Sequence, residues 1–230
     1  MTNAILMAAG MGTRLRPLTL NTPKPLIEVH NQKMIESVIE TLNYAKVDKI
    51  YIVVGYKAEQ FEYLKKKYSN VQIIKNPDYQ KINNISSIYY ARNHLKEGDC
   101  FICEADLIIK DKDLLKKHPK VSGYYGKMVK GASTDWVFNL DTKGQITRIG
   151  KGGTDCYNMA GISYLSSQDA KKVANMVERK YHSKGYETLF WDEVVNENLS
   201  DLKLCVHPLQ SSQIQEIDTV EEWERENKQR

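Results

Sequence analysis

The sequence predicts an α/β fold: a mixed, mostly parallel central sheet flanked by helices, with a small antiparallel extension. Three observations carry this. Short apolar, β-branched runs alternate with segments of helix-like apolar spacing through the first hundred residues, which is the pattern of right-handed βαβ crossovers. A glycine-punctuated loop follows the first run. Beyond residue 120 the pattern changes to shorter strands separated by glycine turns.

In order, Ala4–Met7 reads as a buried first strand, Met34–Ala45 as a helix and Lys49–Val54 as a strand. Ala58–Tyr68 is then helical, Val71–Lys75 a strand, Ile85–Leu95 a helix and Cys100–Cys103 a strand. Val121–Lys127, Trp136–Leu140, Gln145–Ile149 and Tyr157–Leu165 read as short strands, with turns at Thr142-Lys143-Gly144 and Lys151-Gly152-Gly153. Gln168–Tyr181 and Thr188–Asn198 are helical by spacing, Leu202–His207 is strand-like, and a charged helix runs from Val220 to the end. No repeat, low-complexity stretch or linker divides the chain, so residues 1–230 read as one domain.

At 230 residues with 41% hydrophobic side chains, the chain can bury a proper core. A net charge of +4, dispersed over 33 basic and 29 acidic residues, argues against a nucleic-acid partner. Neither a membrane span nor a signal-peptide pattern is visible, so the expected location is cytoplasmic. Cys100 and Cys103 have metal-like spacing, but residues three apart on a strand point to opposite faces, which favours reduced, structural thiols.

In an open α/β sheet, ligands bind beyond the carboxyl ends of the strands. The loop Ala8-Ala9-Gly10-Met11-Gly12-Thr13 lies there, and its backbone N–H groups can approach a polyphosphate. Arg14, Arg16 and Lys24 put positive charge beside it. The loop lacks the Gly-Lys-Ser/Thr of a P-loop and the Gly-x-Gly-x-x-Gly of a dinucleotide fold, and Pro17, Pro23 and Pro25 preclude one regular helix after it.

The stretch Leu6 to Thr19, with Pro23-Lys24-Pro25-Leu26, resembles the nucleotidyltransferase signature Leu-Ala-Ala-Gly-x-Gly-Thr-Arg-Leu-x-Pro-Leu-Thr followed by Pro-Lys. With Asn83-Asn84, Trp136, Trp191-Asp192 and Glu216-Ile217-Asp218, almost the whole chain is similar to the small bacterial choline-phosphate cytidylyltransferases. The resemblance implies a Rossmann-like nucleotidyltransferase fold, with a nucleotide-binding half over about 1–110 and an acceptor-binding half over about 111–230. It implies CTP and phosphocholine as small-molecule partners, no membrane or nucleic acid, and a monomer or homodimer.

The resemblance also assigns roles. Ala8 to Thr13 and Arg14 would hold the β- and γ-phosphates, Lys24 the reacting phosphates, and Asp106 and Asp218 a Mg²⁺ cofactor, an ion that favours one or two carboxylates plus phosphate oxygens. Asp218 could equally cap the following helix. Asn83, Asn84 and Ser87 fall where the superfamily surrounds the base, and either asparagine also makes an N-cap for the helix through Leu95. Trp136, Phe190 and Trp191, with Asp192 and Glu216, could cage a quaternary ammonium; each aromatic could instead be core. The sugar-contact acid of hexose-phosphate members is missing from Ile149-Gly150-Lys151-Gly152-Gly153. Alternatives are an aminoalkyl phosphonate, phosphoethanolamine or sugar 1-phosphate as acceptor, or an inactive nucleotide-binding regulatory domain.

Overall fold

The structure, a computed structural model, describes residues 1–228. Its strands are β1 (Thr2–Ala8), β2 (Glu28–Val29), β3 (Gln32–Lys33), β4 (Lys49–Val54), β5 (Val71–Lys75), β6 (Asp99–Glu104), β7 (Leu107–Ile109), β8 (Gly123–Leu140), β9 (Ile146–Leu165), β10 (Cys205–Leu209) and β11 (Ile214–Glu216). The helices are α1 (Met34–Tyr44), α2 (Tyr63–Lys67), α3 (Ile85–Leu95), α4 (Ser167–Lys180), α5 (Trp191–Glu197) and α6 (Val220–Lys228).

Seven strands form the main sheet in the order β10-β8-β9-β6-β1-β4-β5. Strands β6, β1, β4 and β5 are mutually parallel, whereas β9 runs antiparallel to both β6 and β8. The period of two divides the core between the faces. Ala4 and Leu6 of β1 pack with α1 residues Ile35, Val38 and Leu42, while Ile5 packs on the opposite side with Ile85 and Ile88 of α3 and Val173 and Val177 of α4. Cys103 and Cys100 divide the same way, one to each cluster. Among the described residues no helix is long and apolar enough to cross a membrane.

The antiparallel extension differs from the four short strands expected. β8 and β9 make one long bulged ladder, curled so that Val137 and Phe138 pair both with Gly150 and Ile149 and with Asn158 and Tyr157. The real reversal is at Thr142-Lys143-Gly144, where Asp141 Oδ1 accepts from the N–H groups of Lys143 and Gln145 at 2.8 Å each. At the second expected turn, Gly152 adopts φ +77° within β9, where it accommodates a bulge rather than a hairpin. The expected helix from Thr188 begins only at Trp191, and Ala58–Phe61 is a 3₁₀ turn preceding α2.

The chain's last segments return to its first. β11 pairs antiparallel with β7, and the Trp223 indole N–H donates to the Glu28 carbonyl at 2.8 Å. Lys110 pairs with Glu226 at 2.6 Å. These contacts fix α6, and hence the segment just before it, beside the carboxyl ends of β1 and β6.

Candidate active site

A cavity of about 340 Å³ opens at the carboxyl ends of β1 and β6, within the range of small-molecule sites. The loop after β1 forms one wall. Gly12 has φ +59°, and a Cβ there would stand 2.8 Å from the Lys24 Cβ, so glycine lets Lys24 lie directly against the loop. The Thr19 hydroxyl, donating to the Gly12 carbonyl at 2.8 Å, holds this approach in place. Gly10 also lines the cavity, and nothing lies within 4 Å of where its Cβ would be, which leaves backbone open to a ligand.

Lys24 is buried, and its ammonium lies between two carboxylates, 2.5 Å from Asp106 and 2.6 Å from Asp218. Arg14, largely exposed, meets Asp218 at 2.8 Å. Burial alone would lower the Lys24 pKa, but the charges of Asp106 and Asp218 more than offset it, so the group is held ionised. Asp218 does not cap α6. Thr219 does so: its hydroxyl accepts from the Glu222 N–H at 3.2 Å, and Glu222 Oε2 accepts from the N–H groups of Asp218 and Thr219 at 2.7 and 3.1 Å.

Carboxylate oxygens of Glu104, Asp106 and Glu216 lie within 4.8 Å of one another, and Asp106 Oδ1 is buried without a hydrogen-bond partner. Three convergent acids with an orphaned oxygen fit a hard divalent cation. Burial, then repulsion from Asp106 and Asp218, pushes the Glu216 carboxyl up to about 8. Burial followed by the charges of Glu216, Asp106 and Asp192 also raises Glu104 well above the usual carboxylate range.

Asn83, Asn84 and Ser87 line the cavity opposite the glycine loop. Asn84 stands at the N-cap of α3 without capping it; its Oδ1 instead accepts from the Trp191 N–H at 2.9 Å. Asn83 Oδ1 accepts from the Asn84 N–H at 2.7 Å, and its amide group donates to the Thr188 carbonyl at 3.1 Å. Ser87 accepts from the Asn76 side chain at 3.3 Å.

A second, much smaller cavity of about 10 Å³ shares Met7 and Glu104 with the first, and is lined further by Tyr124, Ser163, Trp191 and Asp192. At Gly161 on its rim φ is +72°, and a Cβ would stand 2.9 Å from Glu104 Oε2. Burial pushes the Asp192 carboxyl up to about 7, with the neighbouring Tyr124 hydroxyl pulling it part of the way back. Even so, the Tyr124 hydroxyl, Ser163 Oγ and Asp192 Oδ1 are all buried without a well-formed hydrogen bond.

The expected aromatic cage is not gathered around one cavity. Trp191 stacks on Tyr124 at 5.7 Å and lines the small cavity, whereas Trp136 and Phe190 meet each other edge to face at 5.2 Å and are absent from its lining. The sequence places Glu104 at the ligand edge, with Ala105 and Asp106 after the strand Cys100–Cys103, but gives it no role; Tyr124 and Ser163 carry no readable signal.

A phosphate-loop α/β sheet with this basic and acidic cluster defines a nucleotidyltransferase, and the chain belongs to the nucleotidyl transferase family, whose profile matches residues 3–132. It is 51% identical to the 2-aminoethylphosphonate cytidylyltransferase of Lancefieldella rimae, over 96% of this chain and 90% of that protein. It is 34% identical to the choline-phosphate cytidylyltransferase of Streptococcus pneumoniae, over 96% and 95%. A solved structure of the CTP:phosphocholine cytidylyltransferase from Streptococcus pneumoniae matches with a TM-score of 0.90 at 31% identity, covering 99% of this chain and 98% of that one.

Proposed function

We propose that this enzyme transfers the cytidylyl group of CTP to a small phosphonate or phosphate bearing a primary ammonium, 2-aminoethylphosphonate foremost, and releases pyrophosphate. One observation carries the choice of acceptor: Tyr124, Ser163 and Asp192 line one small cavity that Glu104 also borders, where Ser163 Oγ is buried without a hydrogen-bond partner and the Tyr124 hydroxyl and Asp192 carboxyl have little but each other. A primary ammonium has three N–H donors with which to satisfy such atoms, whereas a trimethylammonium has none. The 51% identity to a 2-aminoethylphosphonate cytidylyltransferase supports the same reading. Phosphocholine remains the second reading, favoured by the stacked Tyr124 and Trp191 rings beside the cavity.

In the proposed reaction a phosphonate oxygen attacks the α-phosphorus of CTP in line. A new P–O bond forms as the bond from the α-phosphorus to the bridging oxygen breaks, and pyrophosphate carries away that electron pair. The nucleophile is already anionic, so no general base is needed, and catalysis reduces to positioning and charge stabilisation. The loop from Ala8 to Thr13 and Arg14 hold the β- and γ-phosphates, and Lys24 meets the charge that develops on the transferred group. Asp106 and Asp218, with Glu104 and Glu216 beside Asp106, would hold Mg²⁺, which would supply further neutralisation when bound.

The test is pyrophosphate release from each nucleoside triphosphate with 2-aminoethylphosphonate, phosphoethanolamine, phosphocholine and glucose 1-phosphate. CTP with 2-aminoethylphosphonate is expected to give the highest kcat/KM, at least about tenfold above phosphocholine, since a charge-assisted hydrogen bond contributes about 1.5–3 kcal/mol. Preference for phosphocholine overturns the acceptor assignment, and preference for another nucleotide overturns the donor.

A further inference from the structure

The two cavities are joined by the backbone of one short segment. On the nucleotide side stands the loop Asn83-Asn84, which lines the larger cavity. On the acceptor side stands the start of α5, where Trp191 and Asp192, its first two residues, line the smaller one. Three hydrogen bonds connect them: the Asn83 N–H to the Glu187 carbonyl at 2.8 Å, the Asn83 amide group to the Thr188 carbonyl at 3.1 Å, and the Trp191 N–H to Asn84 Oδ1 at 2.9 Å.

Helix α5 spans seven residues. Helices this short are not stable in isolation, and the first N–H groups of any helix lack partners within it. Contacts from outside must therefore set where α5 begins. Within α5, Glu193 helps by accepting from the Phe190 N–H at 2.8 Å, but the helix's own first N–H groups still need a partner from outside it. The Trp191 N–H has Asn84, 107 positions away in the chain. Asn84 thus serves a helix other than the one it precedes, and it does so from the wall of the nucleotide cavity.

We propose that Asn84 is a positioning residue that carries nucleotide occupancy to the acceptor cavity, its side-chain oxygen fixing the start of α5 and with it Trp191 and Asp192. A nucleotide that orders the 83–84 loop steadies the Asn84 oxygen. The oxygen then holds the Trp191 N–H, and the Asp192 carboxylate is presented at a fixed place. This rests on the assignment of the two cavities to nucleotide and acceptor. Coupling of this kind is typically worth about 5- to 150-fold in affinity.

Amide hydrogen exchange over residues 187–197 tests it, in the wild type, Asn84→Ala and Asn84→Asp, each with and without saturating CTP and Mg²⁺. CTP should slow exchange at Trp191 and the residues after it by about fivefold or more in the wild type. That slowing should vanish in Asn84→Ala and return in Asn84→Asp, which keeps an oxygen in the same place. In steady-state assays at saturating CTP, Asn84→Ala should raise the acceptor KM by at least about fivefold and leave kcat much less affected, with Asn84→Asp recovering most of the loss. Equal slowing in Asn84→Ala, or no slowing in the wild type, overturns the proposal. The exchange measurement needs no acceptor, so a wrong choice of acceptor shows up only in the wild-type substrate panel and leaves this result standing.

Discussion

Lys24 and Asp218 are separated by 194 positions in the chain, and their ammonium and carboxylate meet at 2.6 Å. Because Asp106 holds the same ammonium from the other side, Lys24 is the one cation that bridges the two carboxylates, with Arg14 meeting Asp218 alone. Replacement by Met keeps the bulk and removes the charge. Lys24→Met should lower kcat/KM by about 10²- to 10³-fold, the size of effect seen when one group stabilising transition-state charge is lost. It should also leave two carboxylates facing each other, so added Mg²⁺ should raise the Tm of the variant more than that of the wild type. Near-normal turnover would confine Lys24 to a structural role.

Asp106→Asn and Asp218→Asn test the other side of the same balance. Each should reduce turnover at saturating substrates by about tenfold or more, because an amide oxygen is a weaker partner than a carboxylate for a divalent ion. Activity should disappear on chelation and return with Mg²⁺. Since Thr219 and Glu222 cap α6, the helix should survive in Asp218→Asn, and any fall in melting temperature should come from the lost pairing with Lys24 and Arg14. Full activity in Asp218→Asn would remove that residue from the metal site.

Asp192 offers a pH test of the proposed acceptor cavity. Its carboxyl titrates at about 7, so it is neutral below that pH and anionic above it. If it holds an ammonium, kcat/KM for the acceptor rises as pH increases through about 7. The phosphonate ionises in a neighbouring range, so the informative comparison is with Asp192→Asn. That variant should keep only the acceptor's own ionisation and raise the acceptor KM roughly 10- to 100-fold, the loss of a charge-assisted hydrogen bond. Stability should move the opposite way. Between the ordinary 3.8 and about 7 the folded state binds the extra proton, so stability falls as pH rises through that window, less steeply in Asp192→Asn.

Trp136 offers a contrast. Its ring meets Phe190 and packs against the core cluster that contains Trp191. Trp136→Leu should cost about 0.5–1.5 kcal/mol for the aromatic pair, read as a lower Tm, while the ratio of kcat/KM for 2-aminoethylphosphonate and phosphocholine stays unchanged. A shift in that ratio would bring Trp136 into the acceptor site.

The parallel core was readable from sequence down to its boundaries at Lys49–Val54, Val71–Lys75 and Ile85–Leu95, because the short β-branched runs of the strands and the period of the crossover helices stand apart from each other. The β8–β9 ladder was not, since a glycine with positive φ marks a bulge and a reversal alike. In the site, the glycine loop, Lys24, Asp106 and Asp218 could be picked out from a local signature and its resemblance. Tyr124, Ser163 and Asp192 come from β8, β9 and α5, and their meeting is a product of sheet order rather than spacing. Asn84 shows the same limit, because the adjacent helix start offered a sufficient local explanation while its bond goes to a distant one.

The capping of α6 by Thr219 has a consequence for how this chain can change over generations. Since the helix start is held by a neighbour, mutation at Asp218 removes an acid from the site without removing the device that starts the helix. If Asp218 holds the metal, drift at this position would yield proteins that fold with a sound α6 but turn over slowly, a loss that selection on helix formation alone would not see. Retention or loss of an acid here, compared across descendants, therefore reports on selection for catalysis separately from selection for folding.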